Sequence, residues 1–177
     1  MLFTLIVLHL VAAAPSMEGE YVPLARLEEL SCVTAWEQLC SASGNSFPSV
    51  TVEEKQVVVR PFMDDSELAF EVKRASPTVL ELRGSHDGAA LTATLTLTGS
   101  VLVWSGANVA EVLRGSAGAK TTLKLVKQSR VSALHQALTA KLVPGGECEG
   151  LMAAEWPKKK ERCLNTKDGK AAPVDLK

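Results

Sequence analysis

Between Leu91 and Thr98 the chain alternates without a break: Leu91, Ala93, Leu95 and Leu97 take turns with Thr92, Thr94, Thr96 and Thr98. A period of two lays each set on its own side of an extended strand, and β-branched threonines fit a strand better than a helix. Such a strand needs an apolar core on one side and water on the other, which is the condition of an antiparallel sheet. The alternation recurs in Leu68, Phe70 and Val72 against Glu67, Glu71 and Lys73, in Leu80 and Leu82 against Glu81 and Arg83, and in Leu123 and Leu125 against Lys124. Clusters of Gly, Asp, Asn and Ser fall between these runs at 63–66, 75–77, 84–88, 98–100, 105–108 and 115–118, as short hairpins require. The pattern predicts eight strands, at 36–42, 56–62, 67–73, 78–84, 90–98, 100–105, 109–114 and 120–127.

Two segments carry a helical period instead. Val131, Leu134, Leu138 and Leu142 recur at helical spacing within 129–142, with Ser129 or Ser132 able to cap the start and Pro144-Gly145-Gly146 stopping the run. This apolar stripe is expected to pack on the outside of the sheet. Leu24, Leu27 and Leu30 suggest a short helix or turn leading into the first strand. Eight strands on short connections suit a sandwich or a barrel. A Greek-key sandwich needs a long crossover, and no connection within 56–127 is long enough. The expected fold is therefore all-β: an eight-stranded antiparallel up-and-down barrel with a C-terminal flanking helix. The alternative is a sandwich that binds a protein or glycan through loops at 84–89 and 105–109.

The chain opens on an apolar run, Leu2 to Val11, that ends in Ala12-Ala13-Ala14. It is about half the roughly 20 residues a membrane-spanning helix needs, and its small-residue end is that of a secretory leader. Residues 1–14 are read as a signal peptide and 15–177 as one domain; Val11 and Ala13 suit the positions three and one before a cut. The expected location is extracellular, with no stable membrane insertion. Four cysteines remain, Cys32, Cys40, Cys148 and Cys163, an even count that an oxidising compartment would pair into two disulfides. Joining the two ends of the domain would contribute on the order of 4 kcal/mol per bridge in the chain-entropy picture. All three connectivities are open.

The net charge of −1 gives no basic field for nucleic acid, and Lys158-Lys159-Lys160-Glu161-Arg162 reads as a solvated tail. No Cys-x-x-Cys, phosphate loop or Gly-x-Ser-x-Gly occurs, so neither a metal site nor a cofactor is expected. His86 beside Asp87 in a turn, and His135 on the helix, have no nucleophile placed near them, so no catalytic residue is assigned and no enzyme is expected. What the strands do offer is an inner surface. With their apolar faces inward, Phe62, Leu68, Phe70, Val72, Leu80, Leu82, Leu91, Ala93, Leu95, Leu97 and either Trp104 or Val103 line the barrel. A ligand burying roughly 300 Å² there would gain about 7 kcal/mol before ordering costs, which points to an affinity near micromolar. Arg60 and Arg114 share strands with inward candidates, where either could meet an anionic head group. The same side chains can equally fill a small barrel completely.

The order of leader, lone Trp36 at the start of a strand, meander, flanking helix and Cys-bearing tail resembles the lipocalins, and among them the orosomucoid (alpha-1-acid glycoprotein) and apolipoprotein M group with its fish toxin-binding relatives. The similarity lies in 27–42, in 52–70, and in Lys124 to Leu142 followed by Cys148 and Trp156-Pro157-Lys158-Lys159-Lys160-Glu161-Arg162-Cys163. The resemblance implies a hollow barrel carrying a small hydrophobic or amphipathic molecule such as a lipid, steroid, retinoid-like compound or xenobiotic, with Trp36 packed at the barrel floor. It also implies that Cys40, pairing with Cys163 or Cys148, replaces the cysteine normally found in a middle strand. The family's usual Gly-x-Trp reads Thr34-Ala35-Trp36, and no Asn-x-Ser/Thr glycosylation site is present.

Overall fold

The computed structural model describes residues 16–31, 48–61 and 66–142. Eight strands, β1 (Gly19–Pro23), β2 (Ser49–Val52), β3 (Gln56–Arg60), β4 (Leu68–Ala75), β5 (Val79–His86), β6 (Ala89–Thr98), β7 (Val101–Ala107) and β8 (Lys120–Lys127), pair antiparallel in sequence order. The last returns to the first, with Tyr21 opposite Lys127 and Val22 opposite Val126, so the sheet closes into a barrel. Closure excludes the sandwich. Three helices accompany the sheet: α1 (Leu24–Ser31), α2 (Val109–Val112) and α3 (Gln128–Leu142).

The strands differ from the expected set at its two ends. The expected strand at 36–42 lies outside the described residues, and the barrel is opened by Gly19–Pro23 and Ser49–Val52 instead. Strands of five and four residues are too short for an alternation to register. The helix expected to precede the first strand follows it, as α1. Residues 109–114 are not a strand: Asn108 caps α2 by accepting from the Glu111 amide at 3.4 Å, and Leu113 and Gly115 donate back to Val109 and Val112. Spacing in Val109, Val112 and Leu113 that suits a strand poorly suits one turn of helix with its apolar side down, and Val109 and Val112 are buried in the core.

Apolar side chains form two separate cores, one on each side of the wall. Inside, Tyr21, Val57, Phe70, Leu95, Leu102 and Trp104 are among the side chains that pack across the barrel. Outside, Val22, Val101 and Val126 meet Leu24, Leu27 and Leu30 of α1 and Val131 and Leu138 of α3. The helix α3 thus covers the outer face of β1, β7 and β8 with Val131, Leu134 and Leu138 of the stripe its sequence predicts.

Two glycines permit close approaches in the wall. Gly106 has φ +140°, and a Cβ there would sit 2.5 Å from the Thr92 carbonyl oxygen. Gly84 leaves room for the Phe70 ring, which a Cβ would meet at 3.0 Å. Strain of this kind costs on the order of 1–3 kcal/mol. Gly106→Ala should therefore lower the unfolding free energy by that amount and the urea midpoint with it, while Gly118→Ala, whose Cβ meets nothing within 4 Å, should move the midpoint little. Equal midpoints for the two variants would contradict the approach of β6 and β7 at Gly106.

Candidate functional site: the barrel interior

The inward rows follow from strand register. Leu68, Phe70 and Val72 on β4, Leu80 and Leu82 on β5, Leu91, Ala93, Leu95 and Leu97 on β6, and Trp104 on β7 all belong to or pack against the inner core. Val103 faces the other way, into the outer core. Of the residues expected to line the interior, Phe62 lies outside the described residues, as do Trp36 and the four cysteines, Cys32, Cys40, Cys148 and Cys163. Phe70 and Trp104 meet edge to face inside the barrel with centroids 5.2 Å apart, and the Trp104 indole N–H donates to the Ala107 carbonyl at 3.0 Å. Leu95 and Phe70 are fully buried. The middle of the barrel is therefore occupied by its own side chains.

The two ends are built differently. At one end the turns 53–55, 76–78 and 99–100 are short, and the chain entering β1 closes the base. Met17 is buried there, the Tyr21 hydroxyl donates to its carbonyl at 2.8 Å, and the Lys127 ammonium donates to the carbonyls of Ser16 at 3.4 Å and Glu18 at 3.2 Å. Lys127 also stands 5.9 Å from the Tyr21 ring centroid, within cation–π range. Gly19, at φ +129°, makes the turn into the strand. The Gly-x-aromatic sequence that shapes this floor is Gly19-Glu20-Tyr21, fifteen positions before Thr34-Ala35-Trp36.

The opposite end carries the longer connections, including 24–48 and 108–119, the usual place for a binding function on a rigid scaffold. Here α2 lowers Val109 and Val112 into the core. Leu123, opposite Trp104 in an inward row, is 39% exposed, the one large apolar side chain so exposed among the described residues. Pairing of β8 with β1 ends at Leu125, so Leu123 stands where the inner surface meets solvent. Two polar residues continue inward rows at this end: half-buried His86 on β5, after Leu80, Leu82 and Gly84, and half-buried Thr121 on β8.

Neither arginine singled out in the sequence faces inward. Arg60 is exposed on the outer wall, bonded to Glu67 at 2.6 Å and to Thr51 at 3.3 Å. Arg114 follows α2 and pairs with Glu111 at 2.9 Å. Two hollows on the outer wall, over β6–β8 and over β3–β6, are lined mainly by outward-facing side chains and belong to the surface. No cluster of three or more metal-ligating side chains occurs among the described residues, and no described helix is long and apolar enough to cross a membrane. Sequence patterning missed Met17, Tyr21, Val50, Val52, Val109 and Val112, all of which contribute to the interior. Comparison of the chain with family models, with curated proteins and with solved structures finds no match in any of the three.

Burial raises the Tyr21 pKa above its ordinary 10.0. The unfolded chain then loses the phenolic proton first, so the contribution of Tyr21 is complete below pH 10 and is lost as pH rises from there through the folded value. Tyr21→Phe should cost about 1 kcal/mol at neutral pH through the lost bond to Met17, and its stability should fall less steeply than wild type above pH 10. Parallel alkaline profiles in urea unfolding would contradict burial of the phenol.

Proposed function

We propose that this protein is a secreted carrier, not an enzyme, and that it holds one small hydrophobic or amphipathic molecule inside the barrel in the manner of the lipocalins it resembles. The observation that carries the proposal is the closed eight-stranded wall with a continuous apolar inner surface, sealed at one end by Met17 and Tyr21. A barrel of this strand number is about wide enough for one small ligand. On this reading the ligand sits against the Phe70–Trp104 pair on its solvent-facing side and parts Leu68, Leu91, Ala93 and Leu123.

The polar character of that end narrows the ligand class. His86 and Thr121 offer hydrogen bonds, whereas both nearby arginines are turned outward and paired. The best fit is a molecule with an apolar body and a small uncharged head, such as a hydroxyl or carbonyl. A carboxylate head finds no arginine facing it among the described inward rows. Burial of the apolar body and desolvation of one hydrogen-bonding head together suit binding near the micromolar range.

Native mass spectrometry of the secreted protein is expected to reveal a copurified small molecule. A retinoid or sterol alcohol should quench tryptophan fluorescence with a dissociation constant on the order of micromolar, and the matched carboxylic acid should bind more weakly. Absence of any copurified mass, together with no quenching by any member of the panel, would overturn the carrier proposal.

A further inference from the structure

Strands β6, β7 and β8 together carry no aspartate or glutamate, although acidic residues outnumber basic ones in the whole chain. Their outer side is built largely from hydroxyls and lysines. Thr94 stands opposite Ser105, and Ser105 opposite Thr122, so three hydroxyl side chains cross the wall in one register row. Thr92 lies two positions before Thr94 on the same side of β6, and Lys120 two positions before Thr122 on β8. These five residues line a hollow of about 500 Å³, which Gly106 completes where β6 and β7 approach closely.

None of the four hydroxyls bonds to another group among the described residues, and neither Lys120 nor Lys124, the next outward residue of β8, forms an ion pair among them. Glu81, across the ladder from Thr94, is paired with Arg74 at 3.5 Å. A hydroxyl both donates and accepts, so four of them in one hollow match a ligand that is itself rich in hydroxyls. An ammonium with no carboxylate on its own or the two preceding strands favours a negative group. The lining has no aromatic or large aliphatic side chain, so the hydrophobic molecule proposed for the interior finds no burial here. The volume lies within the roughly 300–1,000 Å³ of small-molecule sites.

We propose that the hollow over β6, β7 and β8 is a second binding site, separate from the barrel interior, for an acidic saccharide. Its hydroxyls bond Thr92, Thr94, Ser105 and Thr122, and its anionic substituent lies against Lys120. The site does not depend on the carrier reading, since every group in it belongs to the outer wall.

Methyl-labelled full-length protein titrated with a sulfated heparin disaccharide tests the assignment. The threonine methyls of 92, 94 and 122 should shift, with the interior methyls of Leu68 and Leu91 unmoved. Lys120→Gln should weaken binding by about threefold to fivefold, as loss of one exposed charge contact would, and Thr122→Val by about twofold. Lys73→Gln, which removes an exposed lysine outside the hollow, should change it little. Raising the salt should weaken binding to wild type and leave less to lose in Lys120→Gln. A non-sulfated, uronate-bearing disaccharide should shift the same methyls, and a neutral disaccharide should bind more weakly than either. No shift at these threonines, or equal affinity of wild type and Lys120→Gln, would overturn the site. Equal binding of the neutral disaccharide would overturn the acidic requirement, and inorganic sulfate matching the sulfated disaccharide would overturn the saccharide assignment.

Discussion

The pairing of β1 with β8, through Tyr21 opposite Lys127, Val22 opposite Val126 and Pro23 opposite Leu125, converts an open meander into a closed wall. A five-residue strand cannot supply this closure by hydrogen bonding alone, since an isolated pair of that length is marginal in water. It is held because both of its faces are buried. Tyr21 points inward under Met17 and beside Lys127, and Val22 points outward beneath the helices, where Leu27 and Leu30 are almost completely shielded. Without that double burial, β1 would leave two exposed sheet edges and an apolar surface open to water.

Placing α1 and α3 outside the barrel has a functional consequence. The outer core holds β1 against β8, so the two helices support closure of the wall without occupying its interior. The floor is bound through backbone carbonyls and one tyrosine hydroxyl, a polar arrangement that fixes the base firmly. At the other end the wall gives way to longer connections and to the exposed Leu123. The two ends of the barrel thus differ, one sealed by polar contacts and the other open to solvent at Leu123.

The central strands were legible because they are long and alternate strictly: β4, β5 and β6 have eight, eight and ten residues, and their inward sides follow from the period alone. The sheet ends were not. Ser49-Val50-Thr51-Val52 and Gly19-Glu20-Tyr21-Val22-Pro23 are too brief to show a period, and one of the two neighbours of β1, β8, lies at the far end of the meander in sequence. Val109 to Leu113 carry strand-forming residues, yet the Asn108 cap and Gly115 at φ +93° wind them into a turn. The two arginines illustrate a different limit. Arg60 shares a strand with Val57 and Val59, but its position in the alternation, opposite outward Ser49, turns it to solvent. Both the count of eight and the barrel hold, because β1 and β2 join the wall ahead of β3 while 109–114 winds into α2.

The proposed binding inside the barrel can be tested directly. Methyl-labelled protein bound to a retinoid or sterol alcohol should show intermolecular nuclear Overhauser effects from the ligand to Leu68, Leu91 and Leu123, with His86 and Thr121 perturbed and the methyls of Thr94 and Val101 on the outer wall silent. Effects confined to the outer-wall methyls, or to Leu27 and Val131 beneath the helices, would contradict binding inside the barrel.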